Sequence, residues 1–344
     1  MDLVILLLLL VIGFIVAFAI GSNDETMSPA VGAKVFSVTT AVAIGAVINI
    51  IGALSLGGGV SEKVGSDLIS GQQLTTTMMF AVLISMAIWL LLASITKGLP
   101  ISTTQCIVGS VIGVAASAPF FGLTGWGMEI ISWNVIVEIL AGWVISPVVG
   151  FGIAAVVFKG VRRIQSRAPG LAQRERQEEL AAYGLAVFLI ITSLSRGGND
   201  VANAVAPLTA LPDFQEPVFF GPFVFPGIVI PLLVGGVGMA FGLVVVGRKV
   251  IKTLSTEVVT LSPSSALSAS VSVSMVMFVG TYFGLPLSGT HVLVAALIAV
   301  GWISQTPIKK DQIRSIVISW IITVPISAIF GLMVFAFLVI LPIF

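Results

Sequence analysis

Charge is scarce in this sequence. Only 9% of its 344 residues are Asp, Glu, Lys or Arg, while 57% are hydrophobic and the mean hydropathy is +1.16. Soluble domains carry about 25% charged residues, so a water-solvated globular protein is excluded and lipid is the solvent. Cysteine is reduced to Cys106, which rules out an internal disulfide and reads as a small buried side chain in an apolar stretch. The lone histidine, His291, has two readings, a pH sensor or a hydrogen-bonded packing residue. No basic segment or clear small-residue cleavage site frames Leu3 to Leu10, and the apolar run continues past it, so it reads as a first membrane span rather than a signal peptide.

Long apolar runs fill the rest. Backbone amides in hydrocarbon must be satisfied internally, and these runs lack the alternation of barrel strands, so the expected fold is an all-α integral membrane protein. About 20 apolar residues span a bilayer as a helix. On that measure ten principal spans are expected, near 3–21, 36–57, 73–96, 100–118, 134–158, 183–203, 223–247, 264–283, 286–304 and 314–341. A polar linker, 159–182, with Lys159, Arg162, Arg163, Arg167, Arg174 and Arg176 set against Glu175, Glu178 and Glu179, divides a first half, 1–158, from a second, 183–344.

Lys and Arg accumulate in cytoplasmic loops, so the linker is expected inside. Alternating loops then place Lys34, Lys97, Arg248, Lys249, Lys252, Lys309, Lys310 and Arg314 on the same side, with only Lys63 opposite. The expected location is a cell membrane, with both termini extracellular.

Two signatures occur once in each half, in the same order. Gly21-Ser22-Asn23-Asp24 returns as Gly197-Gly198-Asn199-Asp200, and Gly98-Leu99-Pro100-Ile101-Ser102-Thr103-Thr104 returns as Gly284-Leu285-Pro286-Leu287-Ser288-Gly289-Thr290. Five spans per half is an odd number, so the copies enter the membrane from opposite sides as inverted repeats. Such repeats are a mark of secondary transporters, whose substrate site lies near the midplane and is lined by interrupted helices or hairpins.

The signatures carry chemistry suited to ions. An aspartate in an apolar span costs about 2.5 to 3.5 kcal/mol at a helix centre, which makes Asp24 and Asp200 site candidates. Each carboxylate beside a carboxamide, Asn23 or Asn199, offers hard oxygens of the kind sodium prefers, and glycines 21, 32, 197 and 198 would let the helix break and add carbonyls. The plainer alternative is that each aspartate caps a helix. The Pro-Ile-Ser-Thr-Thr and Pro-Leu-Ser-Gly-Thr segments read as helix starts, where unpaired amides and hydroxyls bind an oxyanion without lysine. Arg196 is expected either to pair with Asp200 or to attract the anion.

At these residues the chain resembles the inorganic phosphate transporters called PiT, whose paired signatures look like Gly-Ala-Asn-Asp-Val-Ala-Asn and Pro-Val-Ser-Thr-Thr-His. The second half carries Gly198-Asn199-Asp200-Val201-Ala202-Asn203-Ala204 with Pro207-Leu208, then Gly247-Arg248-Lys249-Val250-Ile251-Lys252-Thr253 leading to Leu261-Ser262-Pro263, and Pro286 to His291. The resemblance implies a phosphate symporter driven by sodium or protons, with a transport and a scaffold domain and a homodimeric assembly. It implies that Asn23, Asp24, Asn199 and Asp200, with Asn203 close by, bind sodium or line a gate, and that phosphate is held by Ser102, Thr103, Thr104, Ser288, Gly289 and Thr290. Glu257, and Asp67 as its counterpart, are further candidates. The sequence departs from the family pattern in a shortened first signature containing Glu25, in Gln105 at a usual histidine, in Gly289 at a threonine, and in Arg196 at a common histidine.

Phosphate, sodium and the bilayer are the expected partners, with no resident cofactor and no nucleic acid. Sulfate and arsenate share the tetrahedral shape and are the alternative substrates. A passive channel fits two inverted copies with buried carboxylates less well than alternating access does. An intramembrane aspartyl protease is the remote alternative, and it leaves the hydroxyl-rich segments unexplained.

Overall fold

The computed structural model describes residues 2–65, 67–96, 100–168, 170–257 and 259–340. The first half contains α1 (Leu3–Ser22), a one-turn α2 (Ser28–Gly32), α3 (Val38–Gly65), α4 (Thr76–Thr96), α5 (Thr103–Ser117) and α6 (Trp133–Gln165). The second contains α7 (Leu171–Thr209), a small antiparallel hairpin of β1 (Val218–Phe220) and β2 (Phe223–Phe225), and α8 (Val229–Gly242). A π-helical turn, Leu243–Gly247, leads from α8 into α9 (Arg248–Glu257). Then come α10 (Pro263–Tyr282), α11 (Gly289–Ser304) and α12 (Lys310–Ile340).

Among the described residues nine helices are long and apolar enough to cross a membrane, and α11 is a shorter apolar helix. Large apolar side chains such as Val144, Val148, Val156, Ile321, Met333 and Phe337 are exposed along α6 and α12, which in water would be untenable and in hydrocarbon is the lipid-facing surface.

The bundle is assembled by exchange between the halves. α3 packs on α7 and α1 on α8; α5 packs on α12 and α11 on α6; α4 packs on α12 and α10 on α6. Each of these contacts between a first-half and a second-half helix thus has a counterpart with the halves reversed. Small residues bring the backbones together where apolar burial gives no drive in lipid. A Cβ on Gly21 would lie 1.9 Å from the Met239 carbonyl oxygen, one on Gly52 2.0 Å from that of Leu194, and one on Gly113 2.0 Å from that of Ala328.

Two expectations about local structure change, and the polar segment takes on a definite form. The polar segment 159–182 is mostly helical, because α6 continues to Gln165 and α7 begins at Leu171; its Arg, Glu, Gln and Ala residues are good helix formers. Glu178 in this segment accepts bonds from the amide and hydroxyl of Ser264 and so caps α10. The second Asn-Asp signature does not break its helix. Gly197 and Gly198 lie within the continuous α7, where a Cβ on Gly197 would fall 2.3 Å from the Asn49 carbonyl oxygen, so these glycines serve close packing on α3. The hairpin at 218–225 takes the beginning of the expected span 223–247, which starts instead at Val229.

Candidate functional site

Helix α1 stops at Ser22; the amides of Asn23 and Asp24 close its last turn on the Ile20 and Gly21 carbonyls, and the chain crosses the interior as a non-helical turn before α2 begins at Ser28. A buried break must satisfy its polar groups with side chains. Asn23 donates to Ser94 Oγ at 2.9 Å and accepts from the Ile101 amide at 2.8 Å, tying the end of α1 to α4 and to the segment before α5. Asp24 turns back on its own loop. Its Oδ1 accepts from the Thr26 amide and hydroxyl at 2.9 and 2.5 Å, and its Oδ2 from Asn49 Nδ2 at 2.9 Å.

Ser102 and Ser288 are the N-caps of α5 and α11, each accepting from the amide three residues on, Gln105 and His291. The first-turn amides of Thr103 and Thr104, and of Gly289 and Thr290, are not used by their own helices. These two tips meet α7. Thr103 Oγ1 donates to Asp200 Oδ1 at 3.2 Å, Thr104 Oγ1 donates to the Leu287 carbonyl at 3.0 Å, and Asn199 Nδ2 donates to the Leu285 carbonyl at 3.2 Å. Asn203 Nδ2 reaches Thr104 Oγ1 at 3.3 Å and Asn199 Oδ1 at 3.5 Å.

Arg196 joins the halves. Its Nε donates to Asp200 Oδ2 at 2.9 Å, one turn along α7, and its Nη1 to Glu25 Oε1 at 2.7 Å. Thr290 Oγ1 donates to the same Glu25 oxygen at 2.8 Å. The three ionic side chains are 1 to 5% exposed. Burial at this level makes each carboxylate costly unless paired, which the arginine achieves for one acid from each half.

The structure therefore brings together Asn23, Asp24, Glu25, Ser102, Thr103, Thr104, Arg196, Asn199, Asp200, Asn203, Ser288, Gly289 and Thr290, all buried. Of the two roles open to Arg196, it makes the pairing with Asp200. Gln105 is buried at the α5 tip with Oε1 unpartnered. His291 instead packs its ring on Trp320 of α12, with centroids 4.0 Å apart. Asp67 is exposed on the loop after α3 and stands outside the buried cluster. The Glu257 side chain lies outside the described residues. Asn49, Ser94 and Thr26 were not expected; a carboxamide inside the apolar run of α3 is the signal that marks Asn49.

Among the described residues, the buried carboxylate and carboxamide oxygens Glu25 Oε2, Asn49 Oδ1, Gln105 Oε1 and Asn203 Oδ1, in or beside the cluster, have no hydrogen-bond partner. Hard oxygens left this way suit a bound cation or a protonated ligand oxygen. Beyond Asn203 on α7, Pro207 lines a cavity of about 440 Å³ together with Gly58, Ser61, Gly65, Thr209 and Gln215.

Helix tips and acids from both halves, meeting inside a lipid-facing helical bundle, define a multi-pass membrane protein with a buried polar centre. The chain belongs to the Phosphate transporter family, whose pattern matches residues 20–331. A protein of Thermococcus kodakarensis carrying the provisional name phosphate permease is 30% identical, with 97% of this chain and 98% of the relative covered. The chloroplastic inorganic phosphate transporter 2-1 of Arabidopsis thaliana is 27% identical over 93% of this chain and 70% of its own. Among solved structures, the sodium-dependent phosphate transporter superposes with a TM-score of 0.84 at 25% identity, covering 98% of this chain and 99% of that one. The chain is thus a transporter and not an enzyme.

Proposed function

We propose that this protein carries inorganic phosphate into the cell by sodium symport, through alternating access between two inverted repeats. The observation that carries the reading is the convergence of two helix N-termini, α5 and α11, on a cluster of three buried carboxylates. An oxyanion at the tips would be held by first-turn amides and by the hydroxyls of Thr103, Thr104 and Thr290, using the partial positive charge of each helix end. Sodium ions would be held by oxygens of Asn23, Asp24, Asn199 and Asp200, with the unpartnered oxygens of Asn49 and Asn203 at hand. Anion and cations stabilise one another in a low dielectric, and neither is stable there alone; that mutual dependence is the coupling.

Inverted repeats are supported by the reversed pairing of helices, α3 on α7 against α1 on α8. The cavity beside Pro207, one turn beyond Asn203, supports entry from that side, and the loop charges favour the exterior there with the segment 159–182 cytoplasmic. Sodium is favoured over protons because the relative of known structure is described as sodium-dependent.

The test is uptake of radiolabelled phosphate by purified protein in liposomes under a sodium gradient, a proton gradient or neither, with excess unlabelled sulfate. Uptake driven by sodium and resistant to sulfate is expected. Uptake indifferent to sodium would refute the coupling.

A further inference from the structure

Aligning the halves on their shared signatures pairs Asn23-Asp24 with Asn199-Asp200 and Ser102-Thr103-Thr104 with Ser288-Gly289-Thr290. Among the places where the copies differ in the cluster, three involve residues that meet. Arg196 stands opposite Ile20, Glu25 opposite Val201, and Gly289 opposite Thr103. These three residues touch. Arg196 Nη1 bonds Glu25 Oε1 at 2.7 Å, and a Cβ on Gly289 would sit 2.4 Å from Arg196 Cδ and 2.6 Å from Nε and Nη1. A guanidinium, an acid to receive it and a glycine that makes room for it thus occur together here, with Ile20, Val201 and Thr103 at the matching positions of the other copy.

Charge decides what this addition does. The buried ionic groups of the described cluster are the carboxylates of Asp24, Glu25 and Asp200 and the guanidinium of Arg196, and no other buried Lys or Arg accompanies them. A guanidinium keeps its proton, so it supplies a positive charge that is covalently fixed to α7 and never leaves with the substrate. Mobile cations must offset what remains: two negative charges from the protein and the charge of the anion.

We infer that Arg196 is a tethered counter-cation of the transport site, taking the place of one mobile sodium ion, so that it sets the number of sodium ions coupled to each phosphate. The inference rests on the sodium-phosphate reading above. A residue that simply attracted the anion would change phosphate affinity and leave the ratio alone.

The experiment is the sodium-to-phosphate ratio of the full-length protein in liposomes, read from phosphate accumulation at zero membrane voltage under a set sodium gradient. Arg196→Gln is expected to couple one more sodium ion per phosphate, which under a tenfold sodium gradient raises the equilibrium accumulation ratio roughly tenfold. Arg196→Lys and the double variant Glu25→Gln/Arg196→Gln keep the net charge and are expected to keep the original ratio. An unchanged ratio in Arg196→Gln overturns the inference. Should that variant fail to fold, Glu25→Gln, which removes one negative charge from the same cluster, is expected to couple one sodium ion fewer per phosphate, and an unchanged ratio there, or a changed ratio in Arg196→Lys or the double variant, overturns the inference. Absence of sodium-driven uptake by the unaltered protein would overturn the functional reading itself, a separate outcome from sodium-driven uptake whose ratio ignores Arg196.

Discussion

The contact between Gly289 and Arg196 permits a sharp test by Gly289→Ala. The added Cβ would lie 2.4 Å from Arg196 Cδ and 2.6 Å from Nε and Nη1. The end of an arginine side chain ordinarily yields to such a clash at little cost. Here it is held on both sides, by Asp200 at 2.9 Å and by Glu25 at 2.7 Å. Retreat from the methyl group lengthens at least one of these bonds, and a hydrogen bond to a charged group is worth about 1.5 to 3 kcal/mol. Gly→Ala where the backbone tolerates it gives the opposite sign, stabilising by about 0.4 to 1 kcal/mol. Gly289 begins α11 and has no positive φ, so that gain is available once the arginine is gone. A double-mutant cycle with Arg196→Ala, followed by denaturant unfolding in mixed micelles, separates the two effects. Gly289→Ala should destabilise the original protein by roughly 1 to 2 kcal/mol and be neutral or mildly stabilising beside Arg196→Ala. Equal costs in both backgrounds would refute the wedge between α7 and the α11 tip.

Other perturbations follow from contacts described above. Glu25→Gln replaces the carboxylate whose Oε2 is unpartnered and able to accept from a protonated phosphate oxygen; phosphate preference over sulfate should narrow by about tenfold or more, and unchanged relative uptake would count against that role. Asn49→Leu removes the donor to Asp24 Oδ2 at 2.9 Å and should lower stability by about 1.5 to 3 kcal/mol, read as a fall in unfolding midpoint in detergent. Gly113→Val drives a side chain into the Ala328 carbonyl of α12, 2.0 Å from the new Cβ, and should cost about 3 kcal/mol or more, seen as loss of monodisperse protein on extraction. Ser102→Ala removes the α5 cap and should cost about 0.5 to 2 kcal/mol by the same unfolding measurement.

Much of this arrangement is legible in the sequence because lipid leaves little freedom. An aspartate such as Asp24 or Asp200 among apolar residues must be paired, and Pro-x-Ser-x-Thr after a short turn must begin a helix, so the chemistry of the cluster can be read from residue type alone. What the sequence conceals is choice of partner. Glycine serves equally to break a helix or to admit a neighbouring backbone, and only the Asn49 carbonyl beside Gly197 shows that α7 uses the second. The shortened first signature does break its helix, leaving Asp24 to be satisfied by Thr26 and by Asn49, a residue from an apolar stretch that carries no motif. Glu25, outside the repeated pattern, takes a central position because Arg196 and Thr290 both reach it across the halves. Hydropathy likewise stops a span where charge begins, whereas helical hydrogen bonding carries α6 and α7 into the charged segment.

The glycine seams have a mechanical consequence. Where Gly52 meets the Leu194 carbonyl and Gly113 meets that of Ala328, main chain rests on main chain with no side-chain layer between them. Sliding needs such a layer, since rotamers absorb small offsets and carbonyl oxygens do not. Each seam therefore behaves as a weld, and a shape change large enough to admit an ion must be taken up at the side-chain-lined junctions elsewhere in the bundle.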